Sequence, residues 1–291
     1  MAKKVTLYIP CFNAQSYIAD CIKAALKQTY QPDEILVIDD GSTDTTFQLA
    51  SGFPVKIIRH NGNKGLACAR NTALSQAKND FIASLDVDCV VEPDWLGKLM
   101  QHFTDESVAG VGGKLVEKNN QKLVDKWRCV YMRQHWGDKP VVNPRFLFGS
   151  NTVFRKNILI KSGMYNTGYR TNYEDCDMSL KIRAQGYKLV YEPQAVAYHL
   201  RSDNLSSLLR TYWRWTFTGT SGIRTPDTFF NLCCKIYDNM VYTWYRIRDD
   251  VKEKRCSLLG IDLLVLGSNV FRDIKYYYYL LLNTKFKLCS G

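Results

Sequence analysis

The sequence has no uninterrupted apolar run near the roughly 18 residues that a membrane span needs. The nearest stretch, residues 258–266, is short and carries Asp262. That excludes spanning but not lying on a bilayer surface. There is no C-x-x-C, so the ten cysteines form no zinc pattern, and Cys233 and Cys234 are direct neighbours. Cys21 and Cys68 sit among apolar or small residues in helical patterns, where free thiols behave as small hydrophobes. No G-x-G-x-x-G follows the first strand pattern; Pro10-Cys11-Phe12-Asn13 stands there instead, which argues against a dinucleotide-binding dehydrogenase. Heptads, low-complexity tracts and repeats of solenoid length are also absent. Met1-Ala2-Lys3-Lys4 runs straight into a strand pattern with no leader-like segment before it. The expectation is a reducing, cytoplasmic setting.

The 291 residues are 46% hydrophobic and 23% charged, enough for one large domain or two modest ones with a sizeable core. The net charge of +11 favours anionic partners such as nucleotides, nucleic acid or acidic lipid headgroups. The same charge also serves solubility.

Along the chain, strand and helix patterns alternate. Residues 5–9, 34–39 (EILVID), 55–59 and 81–85 are β-rich. Between them, Tyr17, Ile18, Cys21, Ile22, Ala25 and Leu26 have helical spacing, and residues 66–77 form a second helical run with small side chains. Such alternation predicts a mostly parallel sheet with helices on both faces, and ligands bind outside the carboxyl ends of its strands. Those ends carry Pro10-Cys11-Phe12-Asn13, Asp39-Asp40-Gly41-Ser42 and Asp86-Val87-Asp88. Further on, a helix over 93–103, strands near 108–115, 146–154 and 187–191, and a helix over 175–185 are expected, while 117–145 shows no clear period. From about residue 201 the texture changes to a basic, aromatic-rich tail with 14 Lys+Arg and 8 Asp+Glu. The organisation expected is a domain over 1–200 and a mainly helical region over 201–291.

Several groups have the chemistry for a site. Asp86 and Asp88 are hard oxygen ligands at a strand end, suited to Mg²⁺ or Mn²⁺ with substrate phosphates, although an Asx turn would use the same residues. Asp40 could accept a hydrogen bond from a base imide or ribose hydroxyl, or the stretch Ser42–Asp44 could simply cap a helix. Lys64 and Arg70 lie near a helix start, a setting that suits phosphate, although a solvated helix start explains Lys64 equally well. Glu174, Asp175 and Asp177 crowd another helix start, where capping and the macrodipole explain one or two carboxylates and a third invites a general-base role. His199 follows a strand, and a lone histidine is more often structural than a ligand.

Taken together, VTLYIPCFNAQSYIADCIKAALKQTYQPDEILVIDDGSTDTT, NKGLACARNTAL, FIASLDVDCVVEPDWL, FGSNTVFRK and YEDCDMSLKIRAQGYKLVYEPQAVAYH resemble the inverting, GT-A-fold glycosyltransferases of family 2, across residues 4–200. The resemblance implies a Rossmann-like nucleotide-binding α/β domain with a C-terminal helical appendage. It implies nucleotide-sugar contacts from Pro10, Phe12, Asn13, Asp40, Lys64, Arg70, Asp86, Asn151 and Glu174. It assigns Asp88, with Asp86 and His199, to an Mn²⁺ or Mg²⁺ ion, and Asp175 to the role of general base. Two departures stand out. Cys89 replaces the third Asp of D-x-D-D, and Thr211 replaces the Gln of Q-x-x-R-W ahead of Arg214-Trp215. The second departure, with the missing spans, argues for single transfers rather than polymer extrusion.

The implied reaction moves one sugar from a nucleoside diphosphate sugar, a UDP-sugar first, to a hydroxyl acceptor. That acceptor is a saccharide or lipid-linked glycan of surface polysaccharide or glycoconjugate synthesis. The tail suggests an anionic membrane surface, which would place the protein on the inner face of the cell membrane, or else a homodimer contact. The alternatives are a peptide, protein or modified nucleic acid as acceptor, and a non-catalytic sugar-nucleotide-binding protein.

Overall fold

The structure, a computed structural model, describes residues 3–169, 172–218 and 225–288. Met1 and Ala2, the start of the leader-free reading, lie outside the described residues. The chain divides into two compact units: residues 1–119 with 133–201, and residues 120–132 with 202–291.

The first unit is built on one sheet with the order β3-β2-β1-β4-β8-β6-β9-β5, with β7 also pairing β9. Its strands are β1 (Val5–Cys11), β2 (Glu34–Asp39), β3 (Lys56–Arg59), β4 (Phe81–Leu85), β5 (Cys89–Val91), β6 (Val108–Glu117), β7 (Val141–Val142), β8 (Asn151–Arg155) and β9 (Lys188–His199). The ladders β3-β2-β1-β4 and β6-β9 are parallel, while β8, β5 and β7 pair antiparallel with their neighbours. Helices α1 (Ile18–Leu26), α2 (Thr46–Ser51), α3 (Leu66–Gln76), α4 (Trp95–Met100), α6 (Lys156–Lys161) and α7 (Glu174–Ala184) belong to this unit. The helix-flanked sheet expected from the alternation is the one observed, parallel over β3-β2-β1-β4 as the alternation predicts and mixed over the rest.

Alternation along each strand sets the two cores, because successive side chains point to opposite faces. Val5, Leu7 and Ile9 pack with Ile18, Ile22, Trp95 and Leu96 on one face. Tyr8, Leu36, Ile38 and Ile82 pack with Ala67, Ala73, Met178 and Ile182 on the other. Sequence patterning ends β1 at Pro10, yet the strand continues to Cys11. The β4 ladder stops at Tyr8, so the missing N–H of Pro10 costs no bond on that side.

The second unit is helical: α5 (Leu123–Tyr131), α8 (Leu205–Thr218), α9 (Phe229–Lys252) and α10 (Leu259–Leu288). Trp127, Met132, Leu208, Leu258, Ile261 and Val265 form its apolar cluster. Val124, Val130, Leu209, Tyr212 and Trp215 pack against that cluster, and buried polar contacts lie beside it. Trp127 Nε1 and Arg246 Nε both donate to Asp262 Oδ1, at 2.9 and 3.0 Å. Asp250 Oδ1 accepts from Tyr131 and Arg255 at 2.5 and 2.8 Å, and Asp273 accepts from Trp213 and Asn239 at 3.0 Å each. Among the described residues no helix is long and apolar enough to cross a membrane.

Candidate functional site

The carboxyl ends of β1, β2 and β4 lie side by side because those strands are parallel neighbours. The first group of expected residues sits at the ends of β1 and β2. Pro10 is buried and Phe12 is exposed at the β1 end. Asn13 takes a left-handed backbone (φ 48°), and its Oδ1 accepts from the Thr43 N–H at 2.8 Å, tying the β1 end to the β2 loop. Asp40 is buried, and its oxygens accept from His60 Nδ1 and the Lys64 N–H (2.7 and 2.9 Å) and from the Gly65 N–H (2.8 Å). His60 Nε2 in turn meets Thr72 Oγ1 at 2.9 Å. The Asp40 carboxylate therefore shapes the loop before α3, and the Lys64 side chain stands exposed from that loop.

The second group centres on Arg70 of α3, whose side chain is 2% exposed. Its guanidinium pairs with Asp86 and Glu174 at 3.2 Å each, and donates to Ser84 Oγ, Tyr8 Oη and the Gly149 carbonyl at 2.6, 3.1 and 3.0 Å. One cation thus joins β1, β4, the loop before β8 and the start of α7. Burial opposes the charge, but Tyr8, Asp86 and Glu174 more than offset it and hold the guanidinium's pKa well above its usual range. Burial, reinforced by Asp175, raises the Glu174 carboxyl to about 7, with Arg70 pulling the other way.

Glu174 and Asp175 are consecutive on α7, so their side chains leave the helix about 100° apart. Glu174 turns in to Arg70, while Asp175 is half-buried and accepts the Gly149 N–H at 2.8 Å on Oδ2 and the Cys176 N–H at 2.7 Å on Oδ1. Tyr173, just before them, has φ 79°, a left-handed conformation rare for a bulky residue. Gly149 fits between these partners because it lacks a Cβ: one built there would lie 2.7 Å from Arg70 Nη2 and 3.2 Å from Asp175 Cβ.

Past β4 the chain turns tightly, with the Asp86 N–H bonded to the Ser150 carbonyl and the Cys89 N–H to the Asp86 carbonyl. It then enters β5, where Cys89 pairs with His199 of β9. Register also sets Glu117 of β6 opposite His199. The result is a row: Asp88 Oδ2 lies 3.0 Å from His199 Nε2, and His199 Nδ1 lies 3.0 Å from both Glu117 oxygens. Asp86 and Asp88 therefore face different partners, Arg70 and His199. Burial raises the Asp86 carboxyl; Arg70 and His199 lower it, and Asp88 and Asp175 raise it, as expected for charged groups sharing one cleft. Asn151 is buried, and its Oδ1 accepts the Gly113 N–H at 2.6 Å.

The residues present fit a divalent ion. Asp86, Asp88, Glu117, Glu174 and Asp175 outnumber Arg70 and His199, so a diphosphate would enter a field that needs a cation. The 3.0 Å between Asp88 Oδ2 and His199 Nε2 also matches adjacent ligands on a six-coordinate ion with bonds of about 2.1 Å. Among the described residues no three acidic, His or Cys side chains form a protein-only cage. That suits an ion of the Mg²⁺ or Mn²⁺ class, which takes one or two protein ligands and completes its shell with substrate phosphates and water. Glu117 and His60 escaped sequence reasoning. Only the pairing of one strand end with another, visible in the register, marks Glu117.

A family model described as Glycosyl transferase family 2 matches residues 6–164. The poly-beta-1,6-N-acetyl-D-glucosamine synthase of Staphylococcus aureus is 28% identical over 233 residues, covering 74% of this chain and 54% of the relative. The Staphylococcus epidermidis synthase is 25% identical over 229 residues. The chain spans about half the length of these curated relatives. Among solved structures, the mannosyltransferase PcManGT from Pyrobaculum calidifontis, in complex with GDP-Man and Mn²⁺, superposes with a TM-score of 0.64 at 16% identity, covering 94% of this chain and 88% of its own. GalNAc-T7 with UDP, GalNAc and Mn²⁺ gives 0.54 at 19% identity, over 74% of this chain and 48% of its own. At these identities the likeness is one of fold.

Proposed function

The chain belongs to glycosyl transferase family 2, and from that premise we propose that it moves one sugar from a nucleoside diphosphate sugar to a hydroxyl acceptor with inversion. The observation that carries this reading is the meeting of Asp86 and Asp88, from the turn after β4, with Asp175, from the start of α7, in one charged cleft beside Arg70. A UDP-sugar is the proposed donor, and a saccharide or lipid-linked glycan the proposed acceptor. The similarity to poly-beta-1,6-N-acetyl-D-glucosamine synthases supports the acceptor class.

Asp88 and His199 would hold the divalent ion, and Glu117 would fix the imidazole by taking its Nδ1 proton in a hydrogen bond. When bound, such an ion supplies Lewis-acid neutralisation of negative charge on a diphosphate. Pro10, Phe12, Asn13 and Lys64 would line the side of the cleft that takes the nucleoside. Asp40 would shape that side through the backbone of Lys64 and Gly65. Arg70 would set the positions of Asp86 and Glu174 from within, and Asn151 would brace the cleft floor through Gly113.

Asp175 would take the proton from the acceptor hydroxyl as its oxygen attacks the anomeric carbon on the face opposite the leaving diphosphate. The Gly149 and Cys176 N–H groups fix the direction of that carboxylate. A single displacement of this kind inverts the centre and calls for no enzyme nucleophile. The test is Asp175→Asn, assayed by nucleotide release with an acceptor panel and by calorimetric titration of UDP with Mn²⁺. Transfer should fall about 10²–10⁴-fold with nucleotide affinity within about twofold. Wild-type turnover in the variant would refute the base assignment.

A further inference from the structure

Beside its apolar cluster, the second unit buries an unusual number of polar side chains along α9 and α10. Among the described residues of α9 and α10 ten are buried, and seven of them are polar or charged: Lys235, Thr243, Arg246, Asp250, Asp262, Asn269 and Asp273. The same two helices expose fifteen large apolar or aromatic side chains. These are ordered along the helices. On α9, Phe230, Tyr237 and Trp244 recur every seven residues, two helical turns, and form one stripe; on α10, Leu264, Phe271 and Tyr278 do the same. In water, an isolated helical unit buries its apolar stripes and hydrates its charges. This unit instead pairs charges internally, through Arg246–Asp262, Arg255–Asp250 and the Asp273 contacts, and turns many of its rings outward.

The charge left on the outside indicates what covers those rings. Asp250, Asp262 and Asp273 are withdrawn into the interior, while Arg210, Arg214, Arg248, Lys252, Lys254 and Lys275 are exposed against Asp227, Asp238, Glu253 and the half-exposed Asp249, which pairs with Arg248 at 3.2 Å. Arg248 lies over the rings of Trp244 and Tyr245 at 5.3 and 5.0 Å, so cationic and aromatic groups share one surface. Three residues past Val251, at the end of the α9 stripe, a groove of about 620 Å³ is lined by Lys126, Lys254 and Arg255 with no acidic side chain. A second protein copy would match the rings but would bring the same positive charge. An anionic bilayer matches both: its acyl boundary takes the rings and its headgroups take the cations. Among the described residues no helix is long and apolar enough to cross.

We propose that the helical unit docks in the plane of an anionic lipid bilayer, with the outer faces of α9 and α10 sunk into the headgroup–acyl boundary. The full chain is mixed with vesicles of phosphatidylcholine alone or with about one-third phosphatidylglycerol, and bound protein is measured by flotation. Partitioning should be at least ~10-fold higher on the anionic vesicles and fall several-fold as salt is raised. Trp244→Glu with Phe271→Glu should remove at least ~10-fold of that binding at unchanged helicity, since both positions are exposed. If that variant misfolds, brominated lipids decide with the native chain. They should quench wild-type tryptophan fluorescence, and Trp244→Phe should remove a large share of the effect, because Trp244 is exposed while Trp95 and Trp127 are buried and Trp136, Trp213 and Trp215 are half-buried. Equal binding to neutral and anionic vesicles, no binding at all, or no bromolipid quenching would overturn the proposal. So would a wild-type dimer in sedimentation that the paired Glu variant dissociates while neither form binds lipid. The assay contains no sugar nucleotide, so its failure leaves the transferase reading untouched.

Discussion

Replacing Arg70 with methionine tests the centre of the cleft. Methionine keeps roughly the length of the side chain and removes the charge. The substitution leaves Glu174, 2% exposed, without its cation, and removes donors to Ser84, Tyr8 and the Gly149 carbonyl. Breaking a buried pair by deleting one partner costs about 3–5 kcal/mol. The Asp86 pairing adds little, because that side chain is 29% exposed and water screens it. At about 2–4 °C per kcal/mol for a unit of this size, the melting temperature should drop by roughly 6–20 °C. The loss should also depend on pH. Glu174 already sits near 7, above its ordinary 4.5, so the folded state holds a proton there more tightly than the unfolded chain. Stability from this group is therefore present at low pH and declines as pH rises from about 4.5 through 7. Without Arg70 to oppose the shift, the carboxyl rises further, and Arg70→Met should be closer to wild type at pH 5 than at pH 8. Adding Glu174→Gln should recover at least ~1 kcal/mol at pH 8, the coupling expected of contacting partners. Calorimetric melts at both pH values decide the matter. A variant that melts within about 3 °C of wild type at pH 8, or loses equally at both, refutes this account of the buried charge.

Two further substitutions probe the geometry around it. Gly149→Ala places a methyl 2.7 Å from Arg70 Nη2 and 3.2 Å from Asp175 Cβ, so it should cost about 1–3 kcal/mol of stability and lower kcat at least tenfold. Wild-type kcat in that variant would show that Asp175 does not depend on this contact. Glu117→Gln removes the carboxylate that orients His199 and should weaken Mn²⁺ binding about 10–100-fold, read as free Mn²⁺ by paramagnetic resonance with UDP present. Unchanged Mn²⁺ affinity would remove Glu117 from the site.

The parallel half of the sheet was legible because β1, β2 and β4 are buried on both faces and so read as continuous apolar runs, EILVID above all. Three parts were not legible, each for a physical reason. β5 is only three residues long, too short for a period, and exists because β9 offers it an edge. α5 buries Asp125, Trp127 and Arg128, and the partners of those polar groups lie some 75 or more residues later. The helical tail misleads a periodicity argument, since Lys235, Arg246, Asp250, Asp262 and Asp273 are inside while many of its rings are outside. In the cleft, Asp86, Asp88 and Asp175 were visible as residues at strand and helix ends. Arg70 was visible only as a cation near a helix start, whereas the fold buries it and gives it five partners.

The pair Glu174–Asp175 has a practical consequence for any saturation-mutagenesis campaign. Two adjacent codons specify one side chain that faces inward and one that faces the cleft, so a screen scoring only lost product would rank both as indispensable. Heating the surviving clones would separate them, because substitutions at the first position would shift the heat at which the chain aggregates, and conservative ones at the second would leave it in place.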